Sequence, residues 1–237
     1  MDWTVMSYNV QHFNEYRQER INYPLFARVI RESGADVIGI NECYGPGSSF
    51  AAQAQVAEIA QALGYHWYFA PAAMIEEEGI FGNGILSRFP ILEARSVPIP
   101  DPSPRGYDGY YETRCVLRCA VEAAGERLEF AVTHFGLNPD EQENAVRTLT
   151  GCLPQTRCVL MGDFNVLPDA PVLVPIRSRL VDTAPLLGED CLTFPSDRPD
   201  RKIDYILLSA DLEALSAEIL PVTAADHRPY RARIRIR

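Results

Sequence analysis

Eight polar residues stand at, or next to, the ends of apolar runs that have the composition of β-strands: Asn9, Glu42, His134, Asp163, Asn165, Asp204, Asp226 and His227. In α/β domains, ligands bind in the crevice outside the strand ends. Carboxylates, carboxamides and imidazoles that meet there suit a Mg²⁺ or Mn²⁺ site, because such ions prefer hard ligands and keep several waters. The same groups can position water and phosphate for phosphoryl transfer. The sequence therefore predicts a divalent-metal site that acts on phosphoesters.

Short strands and amphipathic helices must position these residues. Apolar runs predict strands over 3–10, 36–40, 65–70, 84–87, 158–161, 203–208 and 230–237, and a hairpin formed by 113–122 and 127–134. Helical periodicity and capping residues predict helices from Pro24 to Gly34, over 49–63, and from Asn138 to about Leu153. Residues 98–111, rich in Pro, Gly and Asp, are predicted to form a long loop that sets specificity.

Length and composition narrow the classes of protein that fit. The 237 residues suit one domain spanning 1–237, and 47% apolar residues are typical of a globular chain. The formal net charge of −10 argues against avid non-specific binding to nucleic acid, although Arg198, Arg201 and Lys202 could form a local basic patch. The arginines that alternate from Arg231 to the C-terminus are expected on the solvent face of a strand. The six cysteines fit reduced thiols better than disulfides, and neither a signal peptide nor a membrane span is expected, so we predict a cytoplasmic protein. We also expect it to be a monomer.

Seven motifs along the chain resemble those of the endonuclease/exonuclease/phosphatase superfamily: SYNV (7–10), GINE (39–42), GNGILSRFPI (82–91), VTHF (132–135), GDFN (162–165), KIDYILLS (202–209) and ADHRP (225–229). They occur in the family's order and cover the chain from end to end. One departure is Ala225, where many members have Ser, and it affects only a minor hydrogen bond. The resemblance implies an α/β (α+β) fold, a four-layer sandwich in which two packed, mostly antiparallel sheets are flanked by helices.

The resemblance also implies the metal ligands and the groups that act on water. Glu42 is expected to bind the ion directly, helped by Asn9, and Asp226 adds negative charge on the metal side. Asp163 is expected to orient or deprotonate the attacking water, and Asn165 to donate to a phosphate oxygen. The competing structural roles are a surface carboxylate for Glu42, a strand-end cap for Asn9 and an Asx turn for Asp163 and Asn165.

The remaining candidates contact phosphate or orient a residue that does. His227 paired with Asp204 is expected to be cationic and to stabilise the transition state. His134 would contact a phosphate oxygen or the leaving group, although a lone histidine in a strand is more often structural. Arg114 would hold phosphate oxygens bidentately and Asn83 would touch the site, each against a purely structural alternative of similar weight.

The expected reaction is divalent-metal-dependent hydrolysis of a phosphoester, with Mg²⁺ or Mn²⁺ as cofactor. The acidic charge favours a phosphatase or phosphodiesterase acting on a small molecule or a lipid headgroup. A nuclease acting on DNA or RNA is the first alternative, because the fold often cuts nucleic acid. A non-catalytic binding module on the same fold is the second, although such modules usually lose the metal-binding Glu or the Asp-His pair, and this chain keeps both.

Overall fold

The computed structural model describes residues 1–18, 20–188 and 191–237. The strands are β1 (Asp2–Asn9), β2 (Asn14–Glu15), β3 (Arg20–Ile21), β4 (Val37–Tyr44), β5 (His66–Ile75), β6 (Gly79–Ser87), β7 (Ile91–Pro98), β8 (Cys115–Ala123), β9 (Glu126–His134), β10 (Cys158–Asp163), β11 (Leu180–Asp182), β12 (Asp204–Ser209), β13 (Leu212–Ile219) and β14 (Tyr230–Ile236). The helices are α1 (Tyr23–Ser33), α2 (Gln55–Leu63), α3 (Pro139–Cys152) and α4 (Val174–Arg177), with 3-10 turns at Gln11–Phe13, Pro171–Leu173 and Ala184–Leu187.

Two six-stranded sheets form the frame of the molecule. The first sheet has the strand order β13-β14-β1-β4-β6-β5, and the second has the order β11-β12-β10-β9-β8-β7. Each contains one parallel pair, β1 with β4 and β9 with β10. All other pairs are antiparallel. The prediction of mostly antiparallel sheets is therefore confirmed.

Alternation of side chains along the strands produces three apolar layers, because successive residues point to opposite faces of a sheet. Val5, Val132 and Met161 belong to the layer between the two sheets. On the other face of the first sheet, Met6 and Ile38 pack with Phe26 of α1 and Val56 of α2. On the other face of the second sheet, residues such as Leu160 and Leu207 pack with Leu149 of α3. This is the four-layer sandwich that the resemblance implied.

Local capping signals explain where the helices begin and end. Asn22 accepts a hydrogen bond from the Leu25 backbone N–H at the start of α1, and Gly34 ends that helix with φ of 67°. Asn138 and Glu141 form a reciprocal capping box at the start of α3. The start of α2 was predicted too early, since the helix begins at Gln55 and not at position 49. The Gln55 carboxamide accepts from the Tyr44 backbone N–H, which fixes the start of the helix on β4.

The sequence did not predict the strands β7, β11 and β13 or the short pair formed by β2 and β3. β7 and β13 each lie at the edge of a sheet, and nearly all of their residues are half-buried or exposed. The arginines of β14 lie on its solvent side, where Arg231 pairs with Glu218, and Arg233 and Arg235 pair with Asp2. Within the described ranges, no helix is long and apolar enough to cross a membrane.

Candidate active site

The carboxyl ends of four central strands meet at one end of the sandwich. In the second sheet Asp163 of β10 lies level with His134 of β9 on one side and Asp204 of β12 on the other. In the first sheet Asn9 of β1 lies level with Asn41 of β4. Strand register therefore places residues that are distant in the sequence in one row across each sheet.

Asp163 is the centre of this cluster. Its Oδ2 accepts a hydrogen bond from Asn9 Nδ2 at 3.1 Å. The same oxygen lies 3.4 Å from His227 Nε2 and 3.6 Å from His134 Nε2. Asp163 is 1% exposed, and burial raises the pKa of its carboxyl, against the opposing effect of His227. A buried carboxylate held between two imidazoles and an amide is suited to hold a water molecule or to accept a proton from it.

Asn41 joins the two sheets behind Asp163, and the sequence reasoning did not select it. Its Oδ1 accepts from the Asp163 backbone N–H at 2.9 Å, and its Nδ2 donates to Thr133 O and Asn83 Oδ1 at 2.9 and 2.8 Å. Asn83 in turn donates to Cys115 O at 3.0 Å. The Asn83 carboxamide thus positions Asn41 and bonds across the sheets, while its contact with phosphate stays a prediction. The sequence signal that could have identified Asn41 is its place in the GINE motif, directly after an apolar run.

Glu42 projects into the site from an irregularity in β4. The pairing of β4 with β6 shifts register between Ile40 and Cys43, and Glu42 has a φ of 59°, in the left-handed region. Its Oε1 accepts from Asn9 Nδ2 at 2.8 Å and lies 4.0 Å from His134 Nε2. Such a backbone conformation is costly for a residue other than Gly and is found at functional sites more often than elsewhere.

His227 and Asp204 form a buried pair. His227 Nδ1 lies 2.8 Å from Asp204 Oδ2, and both residues are less than 5% exposed. Burial alone would lower the pKa of His227, but the carboxylates of Asp204 and Asp163 outweigh it and raise the pKa to about 10. The imidazole is therefore cationic at neutral pH, with Nε2 directed at Asp163.

His134 is held by different partners. Arg114 Nη1 lies 3.0 Å from its Nδ1, and Asn165 Nδ2 lies 3.1 Å from its Nε2. Burial lowers the pKa of His134 well below its usual value, and the charges of Arg114 and His227 lower it further. These directions favour a neutral His134 beside a cationic His227.

Asp226 and Glu42 provide the oxygens that suit a divalent ion. Asp226 Oδ1 is buried and has no hydrogen-bond partner in the described part of the chain. Burial raises the pKa of Asp226 to about 6, His227 opposes this rise and Glu42 adds to it. Two neighbouring carboxylates with unmet ligand capacity fit Mg²⁺ or Mn²⁺. Asp163, Asp204 and His227 form a second group that could hold an ion, since each offers one ligand atom within 4.8 Å of the others.

His12 lies beside Glu42, although no sequence signal pointed to it. Its Nε2 is 3.8 Å from Glu42 Oε2, and its ring packs against Tyr44 and Phe81. A left-handed turn over Gln11–Phe13, with φ between 45° and 61°, brings it there. Such a turn of residues other than Gly has no signature in the sequence.

Lys202 is buried and therefore does not belong to the surface basic patch expected from the sequence. It is 3% exposed, and its Nζ lies 3.3 Å from Asp204 O, 3.4 Å from Asp182 Oδ2 and 3.3 Å from the centre of the Tyr205 ring. It supports the strand that carries Asp204. The predicted basic cluster at 198–202 is therefore smaller on the surface than the sequence indicates.

Comparison with known proteins identifies the family of this chain. A model of the endonuclease/exonuclease/phosphatase family matches residues 6–227. The chain belongs to this family. An endonuclease/exonuclease/phosphatase from Beutenbergia cavernae DSM 12333 has a similar structure, with a TM-score of 0.79, 22% identity, and coverage of 99% of this chain and 72% of that one. Mannosyl-6-phosphatase of Bacteroides thetaiotaomicron VPI-5482 matches with a TM-score of 0.78, 18% identity, and coverage of 99% and 100%. ANGEL2, a 2',3'-cyclic phosphatase, matches with a TM-score of 0.76, 17% identity, and coverage of 99% of this chain and 95% of that one. At these identities the similarity shows a shared fold.

Proposed function

We propose that this protein hydrolyses phosphoester bonds with the help of Mg²⁺ or Mn²⁺, and that its substrate is a small molecule or a lipid headgroup. The environment of Asp163 is the observation that most supports this proposal, because this buried carboxylate contacts Asn9, His134 and His227. Membership of a family named for endonucleases, exonucleases and phosphatases supports the same reaction class.

Glu42 and Asp226 are the proposed ligands of the ion, with Asn9 beside them. Asn9 Nδ2 donates to Glu42 and to Asp163, so the amide fixes the positions of two carboxylates relative to each other. A divalent ion at this position supplies positive charge that neutralises a phosphate oxygen.

Each remaining residue has a proposed task that follows from its contacts. Asp163 orients the attacking water and accepts its proton. His227, kept cationic by Asp204, places positive charge where negative charge grows on the phosphorus oxygens. Asn165 and His134 lie on the other side of Asp163 and offer N–H groups to phosphate oxygens or to the leaving group.

The charges around the site support a small substrate over duplex nucleic acid. The exposed arginines of β14 are neutralised by Asp2 and Glu218, and Lys202 is buried. Glu112 lies beside Arg114, so the cation nearest to His134 is itself paired. With a net charge of −10, the protein offers little to compensate a long polyanion.

The test compares three proteins on a panel of phosphoesters. Wild type should release phosphate or an alcohol from at least one member of a panel of sugar phosphates, nucleotides and phospholipid headgroups. EDTA should abolish this activity, and Asp163→Asn should lower it about 100-fold or more. Asp36→Asn is the matched control, because this half-buried carboxylate bonds to Thr4 N–H at the opposite end of β4.

Other outcomes would favour the alternatives. Mg²⁺-dependent nicking of supercoiled plasmid by wild type, lost in Asp163→Asn, would establish a nuclease. Calorimetry that detects no Mg²⁺ or Mn²⁺ binding, even with phosphate present, would favour a non-catalytic binding module. An activity that Asp163→Asn leaves unchanged would contradict the site assignment.

A further inference from the structure

Two donors compete for the ring of His134. Arg114 Nη1 lies 3.0 Å from Nδ1, and Asn165 Nδ2 lies 3.1 Å from Nε2. A neutral imidazole has one nitrogen that carries a proton and one that accepts. Only one of these two contacts can therefore be a hydrogen bond.

The two donors are not equal. A guanidinium stays protonated in proteins and has no acceptor atom, so Arg114 can only donate. The Asn165 amide cannot turn over to present its oxygen at no cost, because its Nδ2 also donates to Phe135 O at 3.0 Å. Since charged donors form the stronger hydrogen bonds, Nδ1 is the acceptor.

We propose that Arg114 is a positioning residue that fixes His134 as the tautomer with its proton on Nε2. In this tautomer the Nε2–H group faces the site, where Asp163 Oδ2 and Glu42 Oε1 lie 3.6 and 4.0 Å away. In the other tautomer a lone pair would face an incoming phosphate oxygen and repel it. The tautomer is independent of the reaction; only this consequence for phosphate rests on the proposed function.

The surroundings of Arg114 hold it in this role. Its Nη1 also lies 2.6 Å from Glu112 Oε1, and the side chains of Arg114 and Glu112 are 11% and 13% exposed. Glu112 is itself fixed by α3, because Glu141 Oε1 accepts from its backbone N–H at 3.1 Å. The lowered pKa of His134, caused by burial and by Arg114, agrees with a neutral ring.

The arrangement mirrors that of His227. A carboxylate faces Nδ1 of His227 and makes that nitrogen a donor, whereas a guanidinium faces Nδ1 of His134 and makes that nitrogen an acceptor. Both rings then direct an Nε2–H group toward Asp163 Oδ2, which lies 3.4 Å from His227 Nε2 and 3.6 Å from His134 Nε2. One ring does so as a cation and the other as a neutral group.

Nitrogen-15 NMR of the histidine rings tests the proposal directly. Long-range ¹H–¹⁵N correlation spectra of the 237-residue chain, with Mg²⁺ and with EDTA, should show His134 neutral and protonated on Nε2. In Arg114→Met the proton should move to Nδ1, because the Asn165 amide, 3.1 Å from Nε2, is then the remaining donor. In Arg114→Lys, whose ammonium can donate to Nδ1, Nε2–H should persist. Asn165→Leu is the matched control that removes the other donor, and it should keep the wild-type tautomer.

The wild-type spectrum alone can overturn the idea, so the test does not depend on a variant that folds. An Nδ1–H tautomer or a cationic His134 in wild type at pH 7 would refute the proposal, as would an unchanged tautomer in folded Arg114→Met.

Enzyme kinetics provide a second test where activity is found. A positioning role predicts that Arg114→Met lowers kcat about 100-fold with KM changed less than about threefold, and that Lys restores part of kcat. A raised KM with unchanged kcat would instead assign Arg114 to phosphate binding and overturn the positioning role.

Discussion

Replacement of Asp204 by Asn tests the pair that makes His227 cationic. The substitution keeps the size of the side chain and removes its charge. The hydrogen bond at 2.8 Å between His227 Nδ1 and Asp204 Oδ2 is charge-assisted, and bonds of that kind contribute about 1.5–3 kcal/mol. If this energy acts only in the transition state, kcat falls by about 10- to 150-fold, since about 1.4 kcal/mol corresponds to a factor of ten.

Initial rates of Mg²⁺-dependent phosphoester hydrolysis, measured at saturating substrate, are the assay for this substitution. Asp36→Asn serves again as the control, because it makes the same change to a carboxylate that accepts a 2.8 Å hydrogen bond at the other end of the sandwich. Circular dichroism and urea unfolding show whether each variant is folded. A wild-type kcat in folded Asp204→Asn, or an equal loss of activity in Asp36→Asn, would refute this role of the Asp204–His227 pair.

Three further predictions concern stability, metal binding and the long loop. Gly162→Ala should lower the free energy of unfolding in urea by about 3 kcal/mol or more, because φ is +145° and a Cβ there would lie 1.9 Å from a backbone oxygen of β9. In the control Gly151→Ala of α3, the new Cβ meets no atom within 4 Å, so this variant should be more stable by about 0.5–1 kcal/mol. Equal effects of the two substitutions would contradict this prediction. Glu42→Gln should weaken Mg²⁺ binding at least about tenfold in calorimetry, since it removes one of two proposed carboxylate ligands, and unchanged affinity would exclude Glu42 as a ligand. Asn138→Ala should speed amide hydrogen exchange in 98–112, because Asn138 Nδ2 donates to a carbonyl of that loop at 2.7 Å, and unchanged exchange would mean that other contacts hold the loop.

The positions of the catalytic candidates could be predicted because they follow from strand ends. Asp163, His134 and Asp204 each come at the end or start of an apolar run, and register then aligns them across three strands. The helix limits at Gly34 and Asn138 were predictable for a related reason, since capping is local chemistry between residues a few positions apart.

Contacts between residues that are far apart in the sequence could not be predicted. Arg114 lies 20 residues from His134, and nothing in its neighbourhood in the sequence indicates that its Nη1 meets Nδ1 of that ring. The segment Leu212–Ile219 is rich in residues that favour helix, yet it forms β13, because pairing with β14 overrides local preference. Burial of Lys202 likewise depends on Asp182 and Tyr205, which only the fold brings together.

Several unfavourable local features occur together around one carboxylate, and their coincidence is the strongest reason to regard the region as functional. Glu42 and Asn165 adopt left-handed φ values of 59° and 52°, and the turn that places His12 does so at three consecutive residues. Asp163 is buried almost completely, which disfavours its charged form. Each feature costs free energy that the apolar layers on both faces of the sheets must offset. A fold selected for stability alone would replace these residues by Gly, Ser or apolar side chains, so their presence at a single end of the sandwich indicates selection for chemistry.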